Sequence, residues 1–148
     1  MFARTMLVLA LVVAAAVAAG SAASADSFGF FKTPSGKIVC QWGTGAGGSV
    51  VCGVSTGLHP PIPKAGAVCR HLDYVGNRVS LQSTGRVQLI ACTGDAGPFA
   101  DPAHTVYLHY GKTWRAAGLT CAEAVEGLTC RNRDGHGFFL SLRGWRDF

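Results

Sequence analysis

The chain carries six cysteines, an even number in a sequence of 148 residues. They are Cys40, Cys52, Cys69, Cys92, Cys121 and Cys130, all downstream of an apolar N-terminal segment. An even cysteine count in a short exported chain is typical of a disulfide framework, because small domains bury too little apolar surface to be stable without cross-links. Six cysteines allow fifteen connectivities. The sequence therefore predicts a small disulfide-stapled fold made in an oxidising compartment.

The N-terminal segment is predicted to be a cleavable signal peptide. Arg4 supplies a positive charge, an uninterrupted apolar run extends from Met6 to Ala19, and residues 23–25 are the small residues that signal peptidase requires. The run has about 14 residues, whereas a membrane-spanning helix needs about 20, so a retained anchor is the weaker interpretation. We expect residues 1–25 to be the signal peptide and residues 26–148 to form a single secreted β domain, extracellular or associated with the cell wall, with no membrane span after cleavage.

Local sequence pattern ranks the possible disulfide pairings. Cys40 and Cys52 each end a β-branched run, and a glycine-rich tip separates the two runs, which is typical of a hairpin. The tetrapeptide Gly-Leu-Thr-Cys ends at both Cys121 and Cys130, so two matching strands place these cysteines on one face of a second hairpin. The other two cysteines flank a third apparent hairpin. Without excluding other connectivities, the pattern favours Cys40 paired with Cys52, Cys69 with Cys92, and Cys121 with Cys130.

Short runs with β-strand character recur along the rest of the chain, separated by Gly, Pro and Asn, and no segment after the leader shows sustained helical periodicity. We predict a mostly β fold, either a small disulfide-stapled sandwich or a barrel of antiparallel hairpins. Residues 94–102 are predicted to form a surface loop. The predicted strands are 37–42, 49–54, 67–74, 77–82, 86–92, 105–110, 118–121, 127–131 and 137–143.

Charge and ligand chemistry argue against several classes of function. The net charge of the full chain is +5, one unit of which belongs to the leader. The basic residues are scattered, with a slight concentration at positions 131, 133, 143 and 146, and we interpret them as serving solubility. Nucleic-acid-binding domains usually concentrate Lys and Arg on one face, so we predict no nucleic-acid partner.

A metal site is also unexpected. Structural zinc sites require close pairs of cysteine or histidine, and no two cysteines here are closer than nine positions apart. His104 and His109 flank a strand-like stretch on which residues five apart face opposite ways. We therefore predict neither a metal nor another cofactor.

Two glycine-containing motifs resemble functional signatures. Gly43–Gly48 satisfies G-x-G-x-x-G, but an apparent strand begins at Ser49, where a dinucleotide-binding fold requires a helix N-terminus for the pyrophosphate. Gly53–Gly57 satisfies G-x-S-x-G, but prolines at positions 60 and 61 are incompatible with the helix that follows the serine in hydrolases. Neither motif predicts nucleotide binding or catalysis.

His136 is the strongest candidate for a functional side chain. It lies between two glycines just before an apparent strand, where a ligand can approach the backbone closely, and histidine titrates near neutral pH. The alternative is a tight turn in which the glycines supply positive φ angles and the histidine is only decoration. The sequence favours the tight turn over a functional role for His136.

Tryptophans supply the other candidates. Trp42 shares a strand face with two core-type residues and is predicted to be buried, which leaves Trp114 and Trp145 as the exposed candidates for stacking on a ligand. His136, Trp114 and Trp145 together form the predicted candidate ligand surface. No catalytic residue is predicted.

Four segments form a pattern that extends across nearly the whole chain after the leader. They are 31–40, 110–121, 125–132 and 135–141, the last of which contains Gly-His-Gly-Phe. Together they resemble a family of small secreted actinobacterial proteins, with six cysteines and a GHGF motif, that is known as a domain of unknown function. The resemblance implies export and a cysteine-bridged β domain, and it brings no activity, substrate or catalytic residue.

Three functional hypotheses follow. The leading one is a secreted, disulfide-stabilised, non-enzymatic domain that binds a cell-envelope polymer or an extracellular protein, because no complete catalytic set is present. The second is a small exported hydrolase that uses His136 with Asp134 or Ser141. The third is an extracellular protease inhibitor that presents the loop from Gln41 to Ser49, although its glycine-rich tip lacks the rigidity from which inhibitory loops profit.

Overall fold

Eleven β-strands form two sheets in the computed structural model, which describes residues 25–64, 67–99, 103 and 105–148. Residues 1–24 lie outside the described part, so the signal peptide over residues 1–25 stays a prediction. Three short 3₁₀ turns complete the regular structure, at Gly45–Gly47, Ala67–Arg70 and Gly97–Phe99. The predicted mostly β fold is confirmed.

The first six strands form sheet A. Consecutive strands from β1 to β5 pair antiparallel, while β6 joins the free edge of β1 in parallel orientation, so the spatial order is β5-β4-β3-β2-β1-β6. The strands are β1 (Phe28–Lys32), β2 (Ile38–Gly43), β3 (Ser49–Val54), β4 (Asp73–Gln82), β5 (Gln88–Thr93) and β6 (Thr105–Tyr107).

The last five strands form sheet B, an antiparallel meander in the order β11-β10-β9-β8-β7. These strands are β7 (Thr113–Ala116), β8 (Leu119–Ala124), β9 (Gly127–Arg131), β10 (Gly137–Leu140) and β11 (Trp145–Asp147). Within the described residues, no helix has the length and apolar character needed to cross a membrane.

Alternation of side chains along the strands creates one core between the sheets. Val50, Cys52 and Val54 of β3 occupy every second position and are fully buried, as are Leu119 and Cys121 of β8 to within 1%. Residues of both sheets belong to a single buried cluster. Full burial of a Leu, Val or Phe side chain contributes about 1.5–3 kcal/mol. The arrangement is thus a sandwich and not a barrel.

Three disulfides cross-link the strands, and they are the three pairs that the sequence pattern favours. Cys40–Cys52 and Cys121–Cys130 join directly opposite residues of neighbouring antiparallel strands, with Cα–Cα distances of 4.1 and 4.0 Å. Cys69–Cys92 ties a 3₁₀ turn to β5 across 5.3 Å. No cysteine remains free.

Asn132 links the two sheets at one end of the sandwich. Its side-chain amide donates to the carbonyls of Gln82 (3.1 Å) and Gly85 (2.7 Å), in the turn between β4 and β5. Asp134 accepts a hydrogen bond from the backbone N–H of Gly85 at 2.7 Å, and its own N–H donates to the Asn132 side chain. The β9–β10 turn therefore holds the turn between β4 and β5 through its own side chains.

Several sequence-based details are wrong. The predicted strand 67–74 is a 3₁₀ turn up to Arg70, with β4 beginning only at Asp73. Strands β1, β7 and β11 were not predicted, and the β1–β6 pair is parallel where antiparallel hairpins were expected. Trp42 is half-buried and not buried.

Candidate functional site

The outer face of sheet A, which points away from sheet B, is partly covered by the segment after β5. The 3₁₀ turn Gly97–Phe99 contacts β2 and β3, and Pro98 within it is fully buried. Gly53 permits this approach, because a Cβ atom there would lie 2.9 Å from Cζ of Phe99. Residues 94–99 are therefore held on the sheet, and the sheet remains uncovered beside them.

A groove of about 250 Å³ lies beside this covering segment. Its floor consists of outward-facing side chains of the central strands, and Asp95 and Gly97 form one wall. The lining includes both apolar and polar residues. The apolar ones are Phe28, Val51 and Ile90, and the polar ones are Gln41, Ser49 and Thr93. We call this feature the sheet A groove.

Arg78 is the central charged residue of the sheet A groove. It lies in β4, between Gly53 of β3 and Ile90 of β5, and only 6% of the residue is exposed. Its Nη1 donates to the Oδ1 atom and to the backbone oxygen of Asp95, each at 3.1 Å. The guanidinium carbon lies 5.7 Å from the ring centroid of Phe99. The covering segment thus holds the guanidinium in place.

The Nε atom of Arg78 is buried and has no hydrogen-bond partner among the described residues. A buried donor without a partner costs about 1–3 kcal/mol, and a hydrogen bond to a charged donor is worth more than a neutral one. The carboxylate of Asp95 is 77% exposed and lies at the solvent side of the pair, so it neutralises the guanidinium charge without satisfying Nε. The guanidinium charge is therefore compensated, and the groove beside it is suited to a neutral group.

The tryptophans of the predicted ligand surface lie far apart. Trp114 is in β7 and Trp145 in β11, the two opposite edges of sheet B, which four strand spacings of about 4.8 Å separate by roughly 19 Å. Trp114 packs against the rings of Phe31 and Trp42, with centroid distances of 5.3 and 5.5 Å. Trp145 donates its indole N–H to the carbonyl of Pro60 at 2.8 Å. Both side chains are half-buried and engaged in packing.

His136 belongs to the turn that links the sheets. It is half-buried, and its carbonyl accepts a hydrogen bond from the N–H of Asn132 at 2.9 Å, while Gly135 has a φ of 83°. Asp134 is engaged with Gly85, as described above. Ser141 lies beyond the far end of β10, about 16 Å along an extended chain from His136, and its hydroxyl donates to Gly144. The three proposed hydrolase residues therefore do not converge.

The loop proposed for protease inhibition is folded back and not extended. Between β2 and β3 the chain forms the 3₁₀ turn Gly45–Gly47, with positive φ angles at Ala46 (51°) and Gly47 (92°). At Gly48 a Cβ atom would lie 2.4 Å from that of Ala117, so the tip rests against the turn before β8.

Among the described residues, no group of three or more His, Cys, Asp or Glu could hold a metal ion.

Comparison with known proteins assigns the chain to a family. Residues 6–146 match the sequence model of a family described as "Family of unknown function (DUF6636)". The chain belongs to this family. No curated protein and no solved structure gave a significant match.

Sequence reasoning did not find Arg78. The residue occupies an outward position in a strand with a clear alternating pattern, so the sequence indicates a solvent-facing charge. Its burial depends on the segment after β5, which folds over the sheet. The one available signal is the pair of Gly53 and Phe99, because an outward-facing strand glycine often permits close approach of another segment.

Proposed function

We propose that this protein is an exported, non-enzymatic binding domain that captures a cell-envelope polymer or an extracellular protein in the sheet A groove. Three disulfides in a small β-sandwich are consistent with an extracellular protein. The predicted signal peptide also supports export, because such a segment directs a chain to secretion. Among the described residues that line the groove there is no histidine or cysteine that could act as a general base or nucleophile.

The observation that carries the proposal is the unpartnered Nε of Arg78 in a concave site. A guanidinium held by Asp95 and Phe99 lines the groove, so that binding beside it costs little further side-chain entropy. The groove volume of about 250 Å³ is slightly below the range of about 300–1,000 Å³ for small-molecule sites. It fits one unit of a polymer, a sugar ring or one or two residues of an extended peptide, with a carbonyl or hydroxyl oxygen accepting from the Arg78 guanidinium.

Co-sedimentation with insoluble cell-wall material from the source organism, and retention of proteins from its culture medium, test this proposal. The variant Val51→Phe adds volume at the groove floor, and the control Leu89→Phe adds a phenyl ring at an exposed position of β5 on the other face of sheet A, outside the groove lining. We expect wild type and Leu89→Phe to bind equally and Val51→Phe to bind at least about tenfold more weakly, an energetic loss of about 1.4 kcal/mol.

Two results contradict the proposal. The first is absence of binding by the wild-type protein to both the wall material and the proteins of the medium. The second is equal binding by Val51→Phe and Leu89→Phe, which would place the ligand elsewhere.

A further inference from the structure

The outer face of sheet B carries three arginines and no acidic side chain. Arg115 of β7 and Arg131 of β9 belong to the same cross-strand row, and Arg146 of β11 belongs to the next row. The two acids of these strands, Glu123 and Asp147, occupy the alternate positions that face the other way. We call this surface the arginine face.

No acidic side chain in the part of the chain that the structure describes forms an ion pair with any of the three arginines. All three are exposed, and within the described residues the ion pair between Arg78 and Asp95 is the only one. The row neighbours are small: Thr120 separates Arg115 from Arg131. Two strand spacings put the first two arginines about 10 Å apart. The face is therefore accessible and positively charged.

Two of the arginines are stacked on phenyl rings. The guanidinium carbon of Arg131 lies 4.3 Å from the ring centroid of Phe148, and that of Arg146 lies 4.6 Å from the centroid of Phe139. Stacking restrains a guanidinium while leaving its N–H edge free for the oxygens of an anionic group. The arginine face is thus pre-organised for anions, in a way that freely rotating surface arginines are not.

We propose that the arginine face binds a linear polysaccharide that carries repeated anionic groups. Charge complementarity selects the anionic groups, and arginines spaced across the sheet, with Thr120 between Arg115 and Arg131, suit an extended polymer with repeated charges. Single-stranded nucleic acid is a poorer match, because its bases stack on free aromatic faces and the two phenyl rings here are covered by arginines. This site and ligand are separate from the sheet A groove.

Binding of dextran sulfate, with uncharged dextran of the same length as the control, tests the proposal in the intact protein. We expect binding of dextran sulfate only, and about 20-fold weaker binding between about 50 and 200 mM salt, which corresponds to about three neutralised charges. The triple variant R115Q/R131Q/R146Q should lose at least tenfold in affinity. Its control, R70Q/R86Q/R143Q, removes the same charge from exposed arginines outside this face and should lose less than threefold.

The single variant Arg115→Glu keeps the test valid if the triple variant misfolds. It should not disturb the fold, because this exposed arginine has no stacking partner among the described residues. It should fold and still lose at least fivefold in affinity. The proposal is overturned if dextran sulfate does not bind, if both triple variants lose affinity equally, or if Arg115→Glu binds as wild type. Tighter binding of a single-stranded oligonucleotide than of dextran sulfate would also overturn it and make a nucleic acid the partner.

Discussion

Glu123 should make the protein less stable as the pH rises towards neutrality. Its side chain is on the core-facing side of β8, opposite Leu128, the residue is 5% exposed, and Oε2 has no hydrogen-bond partner among the described residues. Burial raises the pKa of this carboxyl from 4.5 to about 7. Because the folded state then holds a proton that the unfolded state has lost, the free energy of unfolding must fall between about pH 4.5 and pH 7.

The magnitude follows from the size of the pKa shift. A difference of about 2.5 units, at about 1.36 kcal/mol per unit, amounts to about 3 kcal/mol. Glu123→Gln replaces the carboxyl with a neutral group of the same shape and removes this titration. The variant should match wild type to within about 1 kcal/mol at pH 4 and exceed its stability by about 2–3 kcal/mol at pH 8.

Urea unfolding under non-reducing conditions, followed by tryptophan fluorescence from pH 4 to pH 8, measures both proteins. The matched control is Glu126→Gln, an exposed position in the turn that follows β8, whose profile should run parallel to that of wild type. Parallel profiles for wild type and Glu123→Gln would refute the reasoning, as would a stability of wild type that rises with pH across this range while the variant stays constant.

Three further changes test the fold. Removing the Cys69–Cys92 bridge by a double alanine substitution should lower the free energy of unfolding by about 3 kcal/mol, measured by urea titration, because a long loop is no longer closed in the unfolded state. Asn132→Ala removes the two side-chain hydrogen bonds that the Asn132 amide donates to the β4–β5 connection, and should cost about 2–3 kcal/mol by the same assay; a loss below about 0.5 kcal/mol would contradict the link. Gly48→Ala should lower the melting temperature more than Gly36→Ala, since both have positive φ but only the first Cβ meets another atom within 4 Å. Equal melting temperatures for the two would show that the tip does not rest on the neighbouring turn.

The hairpins and their bridges follow from sequence because their determinants are local. The runs that end at Cys40 and Cys52, and the repeated Gly-Leu-Thr-Cys, carry period-two alternation and turn residues within a dozen positions. Strands β3 and β9 begin and end at the predicted residues. Local pattern was sufficient for these hairpins, whose strands each carry a clear strand signal.

The remaining strands either pair with a segment distant in the chain or are too short to carry a clear pattern. β6 has three residues and pairs in parallel with β1, so nothing in its own sequence specifies where it lies. β7 is a short edge strand whose pattern Thr-Trp-Arg-Ala is too brief to show alternation, and β11 is shorter still. Ala67–Arg70 carries apolar residues of β type, yet forms a 3₁₀ turn that its disulfide to β5 ties down.

The candidate site was harder to predict for the same reason. Sequence indicated His136, Trp114 and Trp145 by their chemical character, but the turn and packing roles that they serve come from the tertiary contacts of each. Arg78 has no such distinguishing local pattern. Its Nε is buried only because residues 94–99 fold over the outer face of sheet A, where the sequence predicted part of a surface loop over residues 94–102 and the structure has a 3₁₀ turn with a buried Pro98.

The most direct test of the central claim is the Nε–Hε resonance of Arg78 in a nuclear magnetic resonance titration with solubilised cell-wall fragments and, separately, with proteins of the culture medium. The titration is run in about 0.3 M salt, which screens the charge of the arginine face and so weakens the binding of anions there. The account predicts that ligand shifts this resonance together with the amides of Val51 and Ile90, which line the groove, while those of His136 and Trp145 stay in place. A ligand that binds without moving the Arg78 resonance, or that shifts mainly the amides around His136, would contradict the claim.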